Sequence, residues 1–249
     1  MGASRKARPV AHAAIIAAMA ALFGAGSVAA AVPPASGPRV CPAVAVDPFE
    51  LYGDRISFRV LRNGSPVGRH EVTFERQGQD LVVDTRFDLA VDVLFVTAYR
   101  YRYEATDTWR DGCLVSLRAD VDDDGQRHRV VARLDGGTLQ VTGPKAPSSA
   151  PLGIFPTHHW NAGVLPSERV LNTITGGIDA VRIVDLGPEP VVVNGQQRTA
   201  RRYAYTGALQ TEVWYDAAGR WVKMRFDGKD GSKIEYLCES CSREQTAER

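Results

Sequence analysis

The residues best equipped for chemistry stand in one run, His158-His159-Trp160-Asn161, within a segment that opens Phe155-Pro156-Thr157. An imidazole beside a carboxamide suits general acid–base work or metal ligation, because histidine changes charge near neutral pH without special help. Adjacent residues on an extended segment point in opposite directions, so the two histidines do not naturally ligate one ion. The chain carries neither H-E-x-x-H nor G-x-S-x-G, and no aspartate partner is evident at a fixed offset. His158, His159 and Asn161 are therefore catalytic candidates without a complete constellation. The plainer reading, which we prefer, makes Trp160 a plug at one end of a sheet and gives Asn161 the task of bonding turn backbone.

Two further groups invite a chemical reading. Asp120, Asp122, Asp124 and Gly125 match the D-x-D-x-D-G opening of a calcium loop. The twelfth position is Val131 rather than the bidentate glutamate that completes such a loop, and the flanks alternate as strands do. A hairpin turn is the better reading, and neither a metal nor another cofactor is expected. Cys41, Cys113, Cys238 and Cys241 form an even set, which in an oxidising compartment means two disulfides with three possible connectivities. Cys238-Glu-Ser-Cys241 has the spacing of a redox site, but it ends a strand instead of opening a helix, where the dipole would lower a thiol pKa. A structural bond is expected, and a clasp from Cys41 to the C-terminal pair would tie the ends together.

An aromatic row offers a binding surface. Phe95, Tyr99, Tyr101 and Tyr103 share one face at period two, and Tyr203 with Tyr205 forms a shorter row later. The plain reading is a core wall with hydroxyls at its rim. The sharper one is the lining of an apolar groove, to which Trp160 would contribute.

The elements that must position these groups are β-hairpins. Alternating strands run over residues 56–141, punctuated by Asn63-Gly64, Gly78-Gln79-Asp80, Asp111-Gly112, Asp122-Asp123-Asp124-Gly125 and Asp135-Gly136-Gly137. The pattern resumes over 178–236, with turns at Asn194-Gly195 and Asp216–Gly219. Leu81, Val83, Thr85, Phe87, Leu89 and Val91 share one face of a long strand, with Asp84, Arg86 and Asp88 on the other. Long paired strands coil. The fold class is mainly β: a strongly curved antiparallel sheet, a half-barrel or open barrel, of about ten or more strands. One interruption over 143–177 holds the histidine run and a short helical turn at 167–171, opened by Ser167. His70 is expected to pack at a strand end.

The N-terminus addresses the chain to an exported compartment. Arg5, Lys6 and Arg8 precede an apolar run over 13–23 and the small-residue site Ala29-Ala30-Ala31, the pattern of a secretory signal peptide over residues 1–31. Removing it takes three basic and no acidic residues from totals of 30 and 29, leaving 27 against 29, a formal net charge of −2. Near-neutral charge argues against nucleic acid as a partner, and no second segment is long and apolar enough to span a bilayer. The mature chain divides into a Pro/Ala-rich lead-in over 32–48, one β-rich domain over 49–238 and a polar tail over 239–249.

Three blocks together resemble a known pattern: Trp109-Arg110-Asp111-Gly112, Thr157-His158-His159-Trp160-Asn161, and Trp214-Tyr215-Asp216 followed by Gly219-Arg220-Trp221-Val222-Lys223. Their order resembles a domain-of-unknown-function family of exported bacterial β-rich proteins, over residues 47–237. The layout is more distantly similar to the curved sheets of periplasmic lipoprotein carriers, which hold acyl chains in a half-barrel. The resemblance implies no catalytic residues. Expected is a periplasmic or secreted, non-catalytic protein binding a lipid or other apolar ligand on a concave face. The alternatives are a hydrolase-like enzyme using the histidine run, and an assembly protein that meets an envelope protein partner.

Overall fold

The computed structural model describes residues 41, 47–93, 96–145 and 147–242. The leader segment, most of the lead-in, Phe95 and residues 243–249 of the tail lie outside the described residues. A one-turn helix, α1 (Pro48–Leu51), opens the domain; the Asp47 carboxylate caps it by accepting from Phe49 N at 2.9 Å. The strands are β1 (Arg55–Arg62), β2 (Ser65–Gln77), β3 (Asp80–Val93), β4 (Val96–Arg110), β5 (Cys113–Asp123), β6 (Gln126–Asp135), β7 (Thr138–Thr142), β8 (Ser148–Pro151), β9 (Phe155–Pro156), β10 (Arg169–Leu171), β11 (Ile178–Val193), β12 (Gln196–Gly207), β13 (Thr211–Asp216), β14 (Trp221–Asp227) and β15 (Lys233–Ser240).

Turn chemistry explains the hairpins. Asn63, Asp111, Asp124 and Asn194 each sit at φ between 48° and 51°, and each is followed by a glycine at positive φ. Two successive left-handed residues make the turn whose twist matches that of the paired strands. All described strands join one 15-stranded sheet in the order β8-β7-β6-β5-β4-β3-β2-β1-β15-β14-β13-β12-β11-β10-β9. Every neighbouring pair is also adjacent in sequence except β1 and β15, where Phe58 stands opposite Cys238 and Val60 opposite Tyr236. The short β9 pairs parallel to β10, and the other pairs are antiparallel.

The sheet is open: β8 and β9 lie at its two ends. Contacts outside the ladder nevertheless bring those ends together. Lys145 N donates to Thr175 O at 3.0 Å, Ser148 Oγ donates to Gly176 O at 3.1 Å, and Lys145 Nζ meets Asp179 Oδ1 at 3.0 Å. A Cβ on Gly143 would stand 3.0 Å from Thr175 O and 3.2 Å from Gly176 Cα, so the backbones meet where only glycine fits. Asn172, fully buried, braces this latch by donating to Asp179 Oδ2 and accepting from Ile174 N and Thr175 N.

The inner face is the core. Alternate residues of β3 and β4 interlock across the ladder, with Phe87 opposite Tyr103, Leu89 opposite Tyr101 and Val91 opposite Tyr99. The outer face of the same strands carries paired charges such as Arg110 with Asp80 and Arg102 with Asp88.

Three expectations are corrected. Residues 167–171 form no helical turn: Arg169–Leu171 pair with β11 and β9, and the one helical turn among the described residues of the insertion is a 3-10 turn at Ala162–Val164. The gain from ladder bonds outweighs the local signal of Ser167. The disulfides are Cys41–Cys113 and Cys238–Cys241, so no bond clasps the two ends of the chain. Cys41 reaches the β4–β5 turn instead. His70 does not lie at a strand end but within β2, between Phe58 of β1 and Phe87 of β3.

Candidate functional site

The insertion enters the concavity and is pinned there by hydroxyls. Tyr52, just after α1, donates to Trp160 O at 2.8 Å and accepts from Trp221 N at 2.9 Å. Tyr215 donates to His159 O at 2.8 Å, and Thr157 N donates to Leu171 O at 3.0 Å. Trp160, 1% exposed, packs edge-on against Phe74 and Trp109. Asn161 turns its carboxamide to the backbone, where Oδ1 accepts from Gly163 N at 2.9 Å and caps the 3-10 turn.

His158 meets a partner on β4. Its Nδ1 lies 2.6 Å from Asp107 Oδ2, and its Nε2 lies 2.5 Å from the Tyr103 hydroxyl. All three are buried, Asp107 completely. Burial, with the Asp107 charge second, holds the Tyr103 phenol well above its usual pKa, so the hydroxyl is a donor. The tautomer that satisfies both bonds carries its proton on Nδ1, toward Asp107, and accepts from Tyr103 at Nε2. An oriented imidazole flanked by a carboxylate and a hydroxyl is the arrangement of a proton relay, and here the hydroxyl occupies the imidazole lone pair.

His159 diverges from His158, as adjacent extended residues do, and its ring meets Tyr205 and Trp221 edge to face or tilted. His70 packs against Phe58, Phe87, Trp221 and Tyr236. Burial first, and the neighbouring histidines second, push the pKa of both His70 and His159 down to about 3, so both are neutral at physiological pH. His70 Nδ1, His159 Nε2 and the Tyr101 hydroxyl are buried without a hydrogen-bond partner among protein groups.

These residues border one cavity of about 90 Å³. Phe87, Tyr101, Trp221, Met224, Phe226 and Tyr236 form its apolar walls, His70, His158 and His159 its polar points, and Thr157, Thr173, Gln210 and Thr211 further polar lining. The cavity is smaller than the ~150 Å³ that accommodates benzene in an engineered core.

Of the residues singled out in the sequence, His158, His159, Trp160, Tyr101 and Tyr103 border this cavity. Tyr99 instead bonds Asp123 at 2.5 Å, Tyr203 packs against Tyr215, and Tyr205 packs against His159. Asp120 and Asp122 face outward into Arg118, Arg129 and Arg127, and Asp124 Oδ1 lies 3.4 Å from Arg100 N. Burial alone would raise the Asp120 carboxyl, but Arg129 and Arg118 outweigh it and hold it below its usual pKa; for Asp122 the Gly125 N–H does most of the lowering, with Arg127 second. Asp107 escaped sequence reasoning, although its signal was present. It continues the parity Tyr99, Tyr101, Tyr103, Ala105, Asp107, Trp109, and an acid at an inward position of an otherwise apolar row marks a buried, partnered charge.

The architecture is similar to that of a solved structure described as a beta-barrel-like protein of domain of unknown function DUF1849 from Brucella abortus. The TM-score is 0.55 at 14% identity, covering 78% of this chain and 98% of that one. A comparison with curated proteins found no match. The likeness shows a shared fold and carries no function with it. The model of a family described as domain of unknown function DUF6134 matches residues 58–239, nearly the whole sheet with its cavity and histidine run, and the chain belongs to that family.

Proposed function

We propose that this is an exported, non-catalytic binding protein that takes a small apolar ligand, or the end of a lipid-like chain, into the cavity beneath the histidine run. The supporting observation is the cavity itself: apolar walls from both halves of the sheet, with a few polar groups converging on it, the general make-up of a ligand site. Two disulfides accord with an oxidising compartment, as does the leader pattern of residues 1–31. Its size limits the occupant to a group smaller than a benzene ring, such as the last few carbons of a chain.

Native mass spectrometry of the mature protein, before and after delipidation, should detect a hydrophobic adduct. Met224→Trp, which fills the cavity from β14, should remove it while leaving a cooperative unfolding transition. A protein without adduct that also ignores added alkanes and alcohols would favour a purely structural envelope role.

One observation favours a second reading, a hydrolase-like enzyme: the Asp107–His158–Tyr103 relay. Because the Tyr103 hydroxyl occupies His158 Nε2, Tyr103 would be the group that meets substrate, while Asn161 is committed to the turn. Short-chain ester and amide turnover lost together in Asp107→Asn, His158→Gln and Tyr103→Phe would support it; turnover unaffected by all three rules it out.

A further inference from the structure

We infer that the cavity selects an electrically neutral ligand carrying one hydrogen-bonding group, such as an alcohol, ester or protonated acid on a short apolar body, and that His70 and His159 receive that group. The inference rests on the binding role proposed above. Its first support is the cavity lining, in which no lysine, arginine, aspartate or glutamate side chain appears among the described residues. An ionised headgroup would lose its water there without gaining a counter-charge, which disfavours it strongly. Asp107 lies behind His158, bonded through Oδ2 to its Nδ1, and does not line the cavity.

The second support is the set of polar atoms without protein partners. His70 Nδ1, His159 Nε2, Trp160 Nε1 and the Tyr101 hydroxyl come from three different elements: β2, the insertion and β4. All four residues border the same cavity. Buried polar atoms are normally hydrogen-bonded, so four such atoms in the residues around one cavity mark a place where a ligand group completes the set. A neutral imidazole offers either a donor or an acceptor according to tautomer, which suits a hydroxyl or a carbonyl equally. The aromatic walls, chiefly Phe87, Trp221 and Tyr236, then hold the apolar body.

Matched three-carbon probes, sized to a cavity smaller than one that holds benzene, test this: 1-propanol, propanoate, propylammonium and propane. Each is titrated at neutral pH into the full mature protein, with tryptophan fluorescence and the histidine ring signals in NMR as readouts. Trp160 and Trp221 border the cavity and report occupancy directly. 1-Propanol should bind at least about tenfold more tightly than either charged probe, since only the charged probes must be buried as ions. His70→Phe and His159→Phe should weaken 1-propanol several-fold and leave propane unchanged, which separates loss of the polar contact from loss of the cavity. Equal binding of 1-propanol and propanoate at neutral pH overturns neutral selection while leaving the binding role intact. Failure of all four probes to bind the folded protein overturns both.

Discussion

Acid should unfold this protein through two histidines before its carboxylates are touched. His70 and His159 have folded-state pKa values of about 3 against an ordinary value of 6.5. The fold therefore favours their neutral forms, and the unfolded chain takes up protons first as the pH falls. Their contribution is fully present above pH 6.5 and is lost progressively down to about pH 3. Each group removes about 1.4 kcal/mol per pH unit within that window. Between pH 6.5 and 5 the pair should cost about 4 kcal/mol, a large share of the ~5–15 kcal/mol that holds a typical domain. The carboxyls of Asp80, Asp120, Asp122, Glu212 and Asp230 are all held below their usual values of 3.8 to 4.5, so their losses begin only as the pH falls to those values and do not blur the range from pH 6.5 to 5. Urea unfolding at pH 7, 6 and 5 measures the slope for wild type, each single His→Phe variant and the double variant. Phenylalanine keeps the ring and removes the titration, so each single variant should flatten the slope by about half. If the double variant loses stability over pH 6.5–5 as steeply as wild type does, the two buried histidines are not the cause and the reasoning fails.

Three other substitutions test the packing around the site. Tyr52→Phe strands the carbonyl of Trp160 and the N–H of Trp221, and should cost about 2 kcal/mol or more in urea midpoint analysis. Tyr103→Phe leaves His158 Nε2 buried without a donor and should cost about 1–3 kcal/mol, with a changed His158 ring signal in NMR as its specific mark. Gly68→Ala places a Cβ 2.1 Å from Asp88 O, a backbone atom that the β2–β3 ladder holds in place, and should destabilise by about 1–3 kcal/mol or prevent folding.

The hairpins were legible because their information is local. Asn63-Gly64 and Asn194-Gly195 announce a turn by side-chain chemistry alone, and the alternation on either side fixes which face is buried. The pairing of β1 with β15 leaves no such trace, since two strands nearly 180 positions apart share no turn, and any two well-patterned strands would pair equally well on paper. The same blindness hid the disulfides: spacing shows that cysteines are paired, and only the fold shows that Cys41 reaches Cys113. Residues 169–171 failed for another reason, because a three-residue strand has too little alternation to outvote a nearby serine. The site was half visible. The histidine run stood out by residue type, while His70 and Asp107 looked like ordinary members of alternating strands, and only the closing of the concavity brings them to His159 and His158.

The seam between β1 and β15 has a consequence for how the chain is wired. Residues 55–151 and 155–240 are each a succession of strands in which neighbours in the sheet are neighbours in the chain, and the first and last strands meet at the single non-local junction. Joining Ser242 to Asp47 through a short linker and opening the chain at Gly153, with Cys113 changed to serine because Cys41 is left out, would turn that junction into one more hairpin. The permuted molecule would keep every ladder contact while each pairing became local in sequence. Its folding should accelerate, since rate rises as contacts draw closer along the chain. The β1–β15 seam would then be the step whose relocation sets the speed, a kinetic role beside the burial of Phe58, Val60 and Tyr236 that the same pairing secures.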